Sequence, residues 1–337
     1  MKEIYENART RMKNYCRVCP ICNGVACKGE VPGMGGLGTG SSFTENVKRL
    51  AMLRFNMRLI HGVNQGDTSV RLFGHDLAMP LLAAPIGGVS FNMGGGITED
   101  EYINAIVHGC NNKSILGCTG DGVPEFIHQA GFQAIGACNG SGIPFIKPWE
   151  DKELFTKLEL ARATGCDILG MDIDAAGLIT LAKMGRPVSP KSMDQLRRII
   201  QKWGKQFILK GIMTPDEAEL AVEAGAHGIV VSNHGGRVLD HTPATADVLP
   251  EISRRVKGKI TILVDGGVRS GGDILKMLAL GADAVMIGRP FSVAAVGGLQ
   301  DGVEKFIDRL HGELLQAMVL TGTRSVTEVS QNIIYSH

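Results

Sequence analysis

His234 and Arg237 stand three residues apart in the stretch Ser232-Asn233-His234-Gly235-Gly236-Arg237. An imidazole exchanges its proton near neutral pH, and a guanidinium grips a carboxylate through two parallel hydrogen bonds. The pair therefore suits proton abstraction from a small carboxylate substrate. The stretch follows the apolar run Gly228–Val231, which has the length and β-branched content of a buried strand, so its polar groups emerge where a strand ends. A loop histidine held by backbone and an arginine in a surface ion pair would carry the same letters, so the case depends on what else collects nearby.

The second chemical group is sulfur. Cys16, Cys19, Cys22 and Cys27 fall within twelve residues as Cys-x2-Cys-x2-Cys-x4-Cys. Thiolates on tight turns converge without long-range folding, so this segment can ligate one iron–sulfur cluster or a zinc ion; reactive or free thiols are the alternative. The spacing departs from the common ferredoxin run, whose last interval is three residues and whose proline follows the fourth cysteine. Cys110, Cys118, Cys138 and Cys166 are scattered among apolar or Gly-rich neighbours, as small buried thiols usually are.

The elements that must position these groups form a repeating series. Apolar runs at Leu81–Ile86, Ser114–Cys118, Ile143–Pro148, Asp167–Ile173, Phe207–Ile212, Gly228–Ser232, Ile260–Asp265 and Ala284–Gly288 read as strands. Helical patterns such as Glu101–Gly109, Lys152–Ala163, Pro215–Ala224, Thr245–Val256 and Gly271–Leu280 lie between them. Eight such units predict an α/β fold, a closed (β/α)8 TIM barrel over residues 79–337 with active groups at the carboxyl ends of its strands; an open doubly wound sheet is the alternative. Residues 1–78 read as an N-terminal extension: a helix within 2–15, the Cys-rich segment, a flexible Gly-rich connector from Gly33 to Gly40, and a helix from Phe43 to Leu53 capped by Ser41 or Ser42.

Polar residues gather at the predicted strand ends. They are Asp172 and Asp174, Lys210, the Ser232–Arg237 stretch, Asp265-Gly266-Gly267-Val268-Arg269, and Gly288-Arg289. The loops after the last two barrel strands commonly hold a phosphate. Glycines there let backbone N–H groups approach it, while Arg269 and Arg289 supply charge.

Bulk properties exclude several partners. With 35 Lys and Arg against 34 Asp and Glu, no global field points to nucleic acid or an anionic membrane. No apolar run approaches the length of a membrane span, and the charged first residues lack the apolar core of a signal peptide, which predicts a cytoplasmic protein.

These residues together resemble the FMN-dependent α-hydroxy-acid oxidase and dehydrogenase family, over roughly residues 40 to 335. The likeness is strongest where Leu209-Lys210-Gly211-Ile212, Ser232–Arg237 and Asp265–Arg269 keep their order and spacing. The resemblance implies FMN as cofactor, with His234 as base, Arg237 as carboxylate anchor, Asp174 as partner of His234, and Lys210 beside the flavin. Pro85, Ile86 and Gly87 would pass their backbone against the flavin ring. Ser232, Asp265, Gly266, Gly267, Arg269, Gly288 and Arg289 would hold the ribityl chain and phosphate. In the implied reaction His234 takes the hydroxyl proton of an L-2-hydroxy acid, the α-hydrogen's electron pair passes to FMN, and a 2-keto acid results. A homo-oligomer is also implied.

The same resemblance marks departures. Two substrate-contacting tyrosines of the family correspond to Pro32 and Lys147, a flavin-facing glutamine to Phe145, a flavin-contacting serine to Cys118, and a nearby aromatic to Gly120. The second carboxylate-binding arginine is missing, with Arg186 as its nearest substitute. A remodelled substrate wall keeps two alternatives open: an FMN barrel enzyme with another substrate or a non-redox isomerase, and a flavin- or metal-binding sensor. The electron acceptor is unspecified, and a cysteine segment placed to exchange electrons with the flavin would disfavour dioxygen.

Overall fold

A computed structural model describes residues 1–178, 181 and 184–335. The chain opens with α1 (Lys2–Arg11), which buries Ile4 and Ala8, and α2 (Ser41–Met52) follows after the cysteine segment. A short antiparallel hairpin, β1 (Val70–Leu72) and β2 (His75–Leu77), then leads into the barrel.

Eight parallel strands close on themselves: β3 (Leu81–Ile86), β4 (Leu116–Thr119), β5 (Ile143–Ile146), β6 (Ile168–Asp172), β7 (Gln206–Ile212), β8 (Gly228–Val231), β9 (Thr261–Val264) and β10 (Ala284–Ile287). All eight predicted strands are present in order, and β10 pairs with β3 to complete the barrel. Alternate side chains of each strand point inward, so Leu82, Leu116, Cys118, Ile143, Phe145, Ile168, Ile208, Val230, Leu263 and Met286 pack as an inner core. Leu72 and Leu77 of the hairpin join that core and floor it. Each fully buried side chain of this size contributes about 1.5–3 kcal/mol relative to exposure.

The connecting helices are α3 (Val89–Asn92), α4 (Glu99–Asn112), α5 (Glu125–Ala137), α6 (Asp151–Ala163), α7 (Met193–Trp203), α8 (Pro215–Glu223), α9 (Thr245–Val256), α10 (Gly271–Ala279) and α11 (Arg289–Thr321), the last broken at Leu299. Their starts follow local chemistry. Thr98 and Glu101 close a capping box on α4, Ser192 and Gln195 another on α7, and Thr214 caps α8 with Pro215 in its first turn.

Two expectations for the extension fail. Residue 40, a glycine at φ +69°, caps α2 without a side-chain bond. Ser42 instead donates to Leu239 O (3.1 Å) and accepts the Thr242 N–H (2.9 Å), so its hydroxyl ties α2 to the loop after Arg237. The Gly33–Gly40 connector is likewise held rather than loose: Leu37 N donates to Gly236 O at 2.8 Å, and Asp240 accepts bonds from the N–H groups of Thr39 and Ser41 and from the Thr39 hydroxyl. Glycine here lets the chain lie flat against the barrel mouth.

Candidate active site

The loop after β8 turns sharply because His234, Gly235 and Gly236 all take left-handed backbone, at φ +56°, +60° and +77°. At Gly236 a Cβ would lie 2.5 Å from Phe43 N, so only glycine lets the loop meet α2. Ser232, fully buried, donates to Asp265 Oδ2 at 2.8 Å and accepts the His234 N–H at 3.0 Å, locking the turn to the end of β9.

His234 then meets a carboxylate. Its Nδ1 lies 3.0 and 3.1 Å from the two oxygens of Asp174, in the 3-10 turn Ile173–Gly177 after β6. That contact assigns the Nδ1 proton to the bond with Asp174 and leaves Nε2 as the free base. Burial pushes the Asp174 carboxyl upward, but His234 and Lys210 outweigh it, so it is held below the usual carboxylate range. Room for Asp174 comes from Gly211: its φ is +112°, and a Cβ there would lie 2.6 Å from Asp174 Cβ. The β7–β8 register shifts at the same point.

Lys210, adjacent in register to Asp172, is buried with its Nζ 2.9 Å from Asp172 Oδ1 and 3.4 Å from His234 Nδ1. Desolvation disfavours the ammonium, but Asp172, Asp174 and Asp265 together raise its pKa, so it stays charged. Among the described residues, donor atoms of Asp172, Asp174 and His234 form the one group close enough to hold a metal ion, and the Lys210 ammonium stands among them. An ammonium therefore already stands where a metal ion would bring its positive charge.

Around the dyad opens a cavity of ≈ 390 Å³, within the usual range for small-molecule sites. His234, Arg237, Lys210, Pro85, Ile86, Gly87, Asp265, Gly266, Gly267, Arg269, Gly288 and Arg289, all singled out by sequence, line it. Ser232 and Asp174 stand behind this lining and position it. Cys118 does not reach the cavity: it lies with Phe145 in the barrel's inner core because both occupy inward positions below the mouth. Arg186 is also misassigned as an anchor, since its guanidinium pairs with Glu153 at 2.6 Å and lies outside the lining. Cys16, Cys19, Cys22 and Cys27 are outside it too, whereas Pro32, Gly120 and Lys147 belong to it.

The three arginines of this cavity, Arg237, Arg269 and Arg289, lack carboxylate partners among the described residues. Arg237 donates to Gly33 O (2.5 Å), Gly35 O (3.2 Å) and Asn92 Oδ1 (3.0 Å). Arg289 donates to Met34 O (2.7 Å) and Gly35 O (2.9 Å), with its guanidinium 3.8 Å from the Phe43 ring centre. Burial pulls Arg237 down to about 10. Burial, Arg237 and Arg269 pull Arg289 down to about 9. Clustered guanidiniums that repel one another and meet only carbonyls and an aromatic face are a ready anion site.

Lys147 is a further cation. It is 9% exposed, and its ammonium makes no hydrogen bond or ion pair among the described residues. Its backbone N–H donates to Asp121 Oδ2 (3.0 Å), and that carboxylate also accepts from Trp149 Nε1 (2.5 Å) and Lys157 Nζ (2.6 Å). Asp121 is thus saturated while the Lys147 head group faces the cavity.

FMN fits these residues. Asp265 Oδ1 is buried without a donor, as expected where a ribityl hydroxyl completes the set, and the arginine cluster calls for a phosphate. Gly266 and Gly267, at φ +99° and +84°, turn the chain without side chains beside that cluster. Sequence reasoning missed Asp121, Asp240 and the Asn46–Asn233 amide pair (2.8 Å), which clamps α2 to the His234 loop. Asn233 inside the central stretch was the available signal.

Barrels that gather a base, a buried ammonium and unpaired guanidiniums at the carboxyl ends of their strands form a class of phosphate-cofactor enzymes. Comparison narrows the class. The family model described as FMN-dependent dehydrogenase matches residues 33–184 and 180–336, and the chain belongs to that family of FMN flavoprotein oxidoreductases. Peroxisomal (S)-2-hydroxyacid oxidase GLO3 of Arabidopsis thaliana is 30% identical over 339 residues, covering 88% of this chain and 89% of the relative. L-lactate dehydrogenase of Pseudomonas paraeruginosa is 29% identical over 336 residues, covering 85% and 88%. A solved structure of mandelate oxidase superposes with a TM-score of 0.80 at 27% identity, covering 98% of this chain and 96% of that one. No described helix is long and apolar enough to cross a membrane.

Proposed function

We propose that this chain oxidises an L-2-hydroxy acid to the 2-keto acid, with His234 as base and Arg237 as carboxylate anchor. The observation that carries the reading is the His234–Asp174 pair opening onto a cavity whose arginines lack anionic partners among the described residues. Three of the five N–H donors of Arg237 are engaged by Gly33, Gly35 and Asn92, which fixes the guanidinium and leaves two for a carboxylate. Lys147 supplies a second charge to the same anion and takes over work that the missing arginine does elsewhere in the resemblance. His234 Nε2 accepts the hydroxyl proton while Asp174 holds Nδ1–H and stabilises the imidazolium that forms.

FMN bound in this cavity supplies the two-electron acceptor for the bond broken at the substrate's α-carbon. Pro85, Ile86, Gly87 and Lys210 would lie along its ring, and Arg269, Arg289, Gly266, Gly267 and Gly288 would hold its phosphate arm. Relatives named for 2-hydroxy acids and lactate support the substrate class.

The test is product formation. Purified protein, given a panel of L-2-hydroxy acids and an artificial dye acceptor without oxygen, is expected to yield the matching 2-keto acid from at least one. Turnover of a substrate without any acceptor would instead establish a non-redox isomerase, and no turnover with bound flavin would favour a sensor.

A further inference from the structure

We propose that Cys16, Cys19, Cys22 and Cys27 bind a [4Fe–4S] cluster against the outer wall of the flavin cavity. The family match begins at residue 33, so nothing in the family's shared region accounts for this segment. It is nevertheless folded as a site. Cys16 N donates to Met12 O (2.9 Å), Met34 N to Tyr15 O (3.1 Å), and Gly29 N to Gly36 O (2.9 Å), while all four cysteines are half-buried and none is in a disulfide. Between the first two cysteines, Val18 takes φ +45°, a conformation that a β-branched residue adopts only under strain. Arg9 Nη2 braces that turn by donating to Val18 O at 2.9 Å.

The thiols converge, but not tightly. Cys16 lies within electrostatic reach of Cys19, Cys22 and Cys27, and Cys27 within reach of Cys19 and Cys22. Yet no three of the sulfurs lie within 4.8 Å of one another. A single tetrahedral zinc, with bonds of about 2.3 Å, would draw its four sulfurs to roughly 3.8 Å apart. In a four-iron cube each thiolate bonds its own iron, and the ligands stand wider. The spacing of the first three cysteines is also that of four-iron ligand runs.

Two of the sulfurs accept hydrogen bonds. Val18 N–H donates to Cys16 Sγ (3.4 Å) and Arg269 Nη2 to Cys22 Sγ (3.6 Å), and Arg269 Nε also donates to Cys22 O (3.0 Å). N–H donors to the sulfurs are among the groups that hold and tune such clusters. Arg269 lines the cavity with its neighbour Arg289, so one guanidinium borders the cavity and also reaches Cys22. A cluster there would place one-electron chemistry beside a site for two-electron oxidation.

The experiment is metal analysis of the holoprotein purified without oxygen. The expected result is about four iron and about four acid-labile sulfide per chain, with a paramagnetic signal appearing on dithionite reduction. The double variant Cys19→Ser/Cys22→Ser is expected to lose both iron and sulfide while keeping FMN, and Cys138→Ser to keep all three. One zinc per chain, two iron and two sulfide, a disulfide among the four cysteines, or absence of metal would each overturn the proposal. If the double variant fails to fold, the wild-type iron and sulfide count decides alone. Cluster without FMN would refute the flavin reading and spare this one; FMN without cluster would do the reverse.

Discussion

In the proposed reaction His234 works through what its ring nitrogens are given. Asp174 fixes the Nδ1 proton, and the free Nε2 is left to a cavity that Arg237 and Lys147 also line. His234→Gln is therefore expected to lower kcat/KM by about 10²–10⁴-fold while FMN stays bound, as read by stopped-flow flavin reduction; an unchanged reduction rate would show that the proton leaves by another route. Lys147→Met removes a buried charge that makes no ion pair among the described residues and leaves the His234–Asp174 bonds in place. Its expected effect is a KM about tenfold higher with kcat largely kept, and an unchanged KM would remove Lys147 from the substrate site. The placement of His234 and Arg237 at the cavity was legible in the sequence because both sit on a glycine-loosened loop directly after a strand. The role of Cys118 was not legible: whether an inward side chain reaches the mouth or stays in the core depends on its height in the barrel.

At the scale of elements, the strands were readable because each is a short, largely apolar run with glycine or polar residues close by its ends, and every predicted strand lies within a few residues of the observed one. Helix α2 was harder, since the serines that look like caps are used for docking. The Gly-rich segment misled for the same reason: nothing local says that Asp240, far along the chain, will hold it. Partial burial opposes the Asp240 charge, but bonds from Thr39 and the His241 N–H pull the carboxyl from 3.8 down to about 2. A depressed carboxylate contributes stability that is fully present above its unfolded pKa and is lost as pH falls through the folded one. Asp240→Asn is thus expected to be less stable than wild type near neutral pH, with the difference shrinking between about pH 4 and about pH 2. Urea midpoints across that range check it, and a difference that holds constant down to pH 2 would contradict it. Gly211→Ala tests another junction. A Cβ pressed on Asp174 in left-handed backbone should cost about 1–3 kcal/mol and slow turnover, whereas an unchanged urea midpoint would mean that the turn has slack.

The whole molecule joins a barrel that many chemistries share to an N-terminal segment that closes its mouth. The barrel core could be inferred from hydrophobic patterning alone. The closure could not, because the carbonyls of Gly33, Met34 and Gly35 that receive Arg237 and Arg289 carry no side-chain signature. Those bonds fix both guanidiniums, which is preorganisation of the kind that favours binding and orientation. The central claim, that this cavity carries out flavin-dependent oxidation of a 2-hydroxy acid, is tested most directly by the anaerobic visible spectrum of the purified protein during addition of L-2-hydroxy acids. The account predicts flavin bands that bleach with at least one of them, and bleach far more slowly in His234→Gln. Flavin bands that no hydroxy acid bleaches, or a protein that carries no flavin, would contradict it.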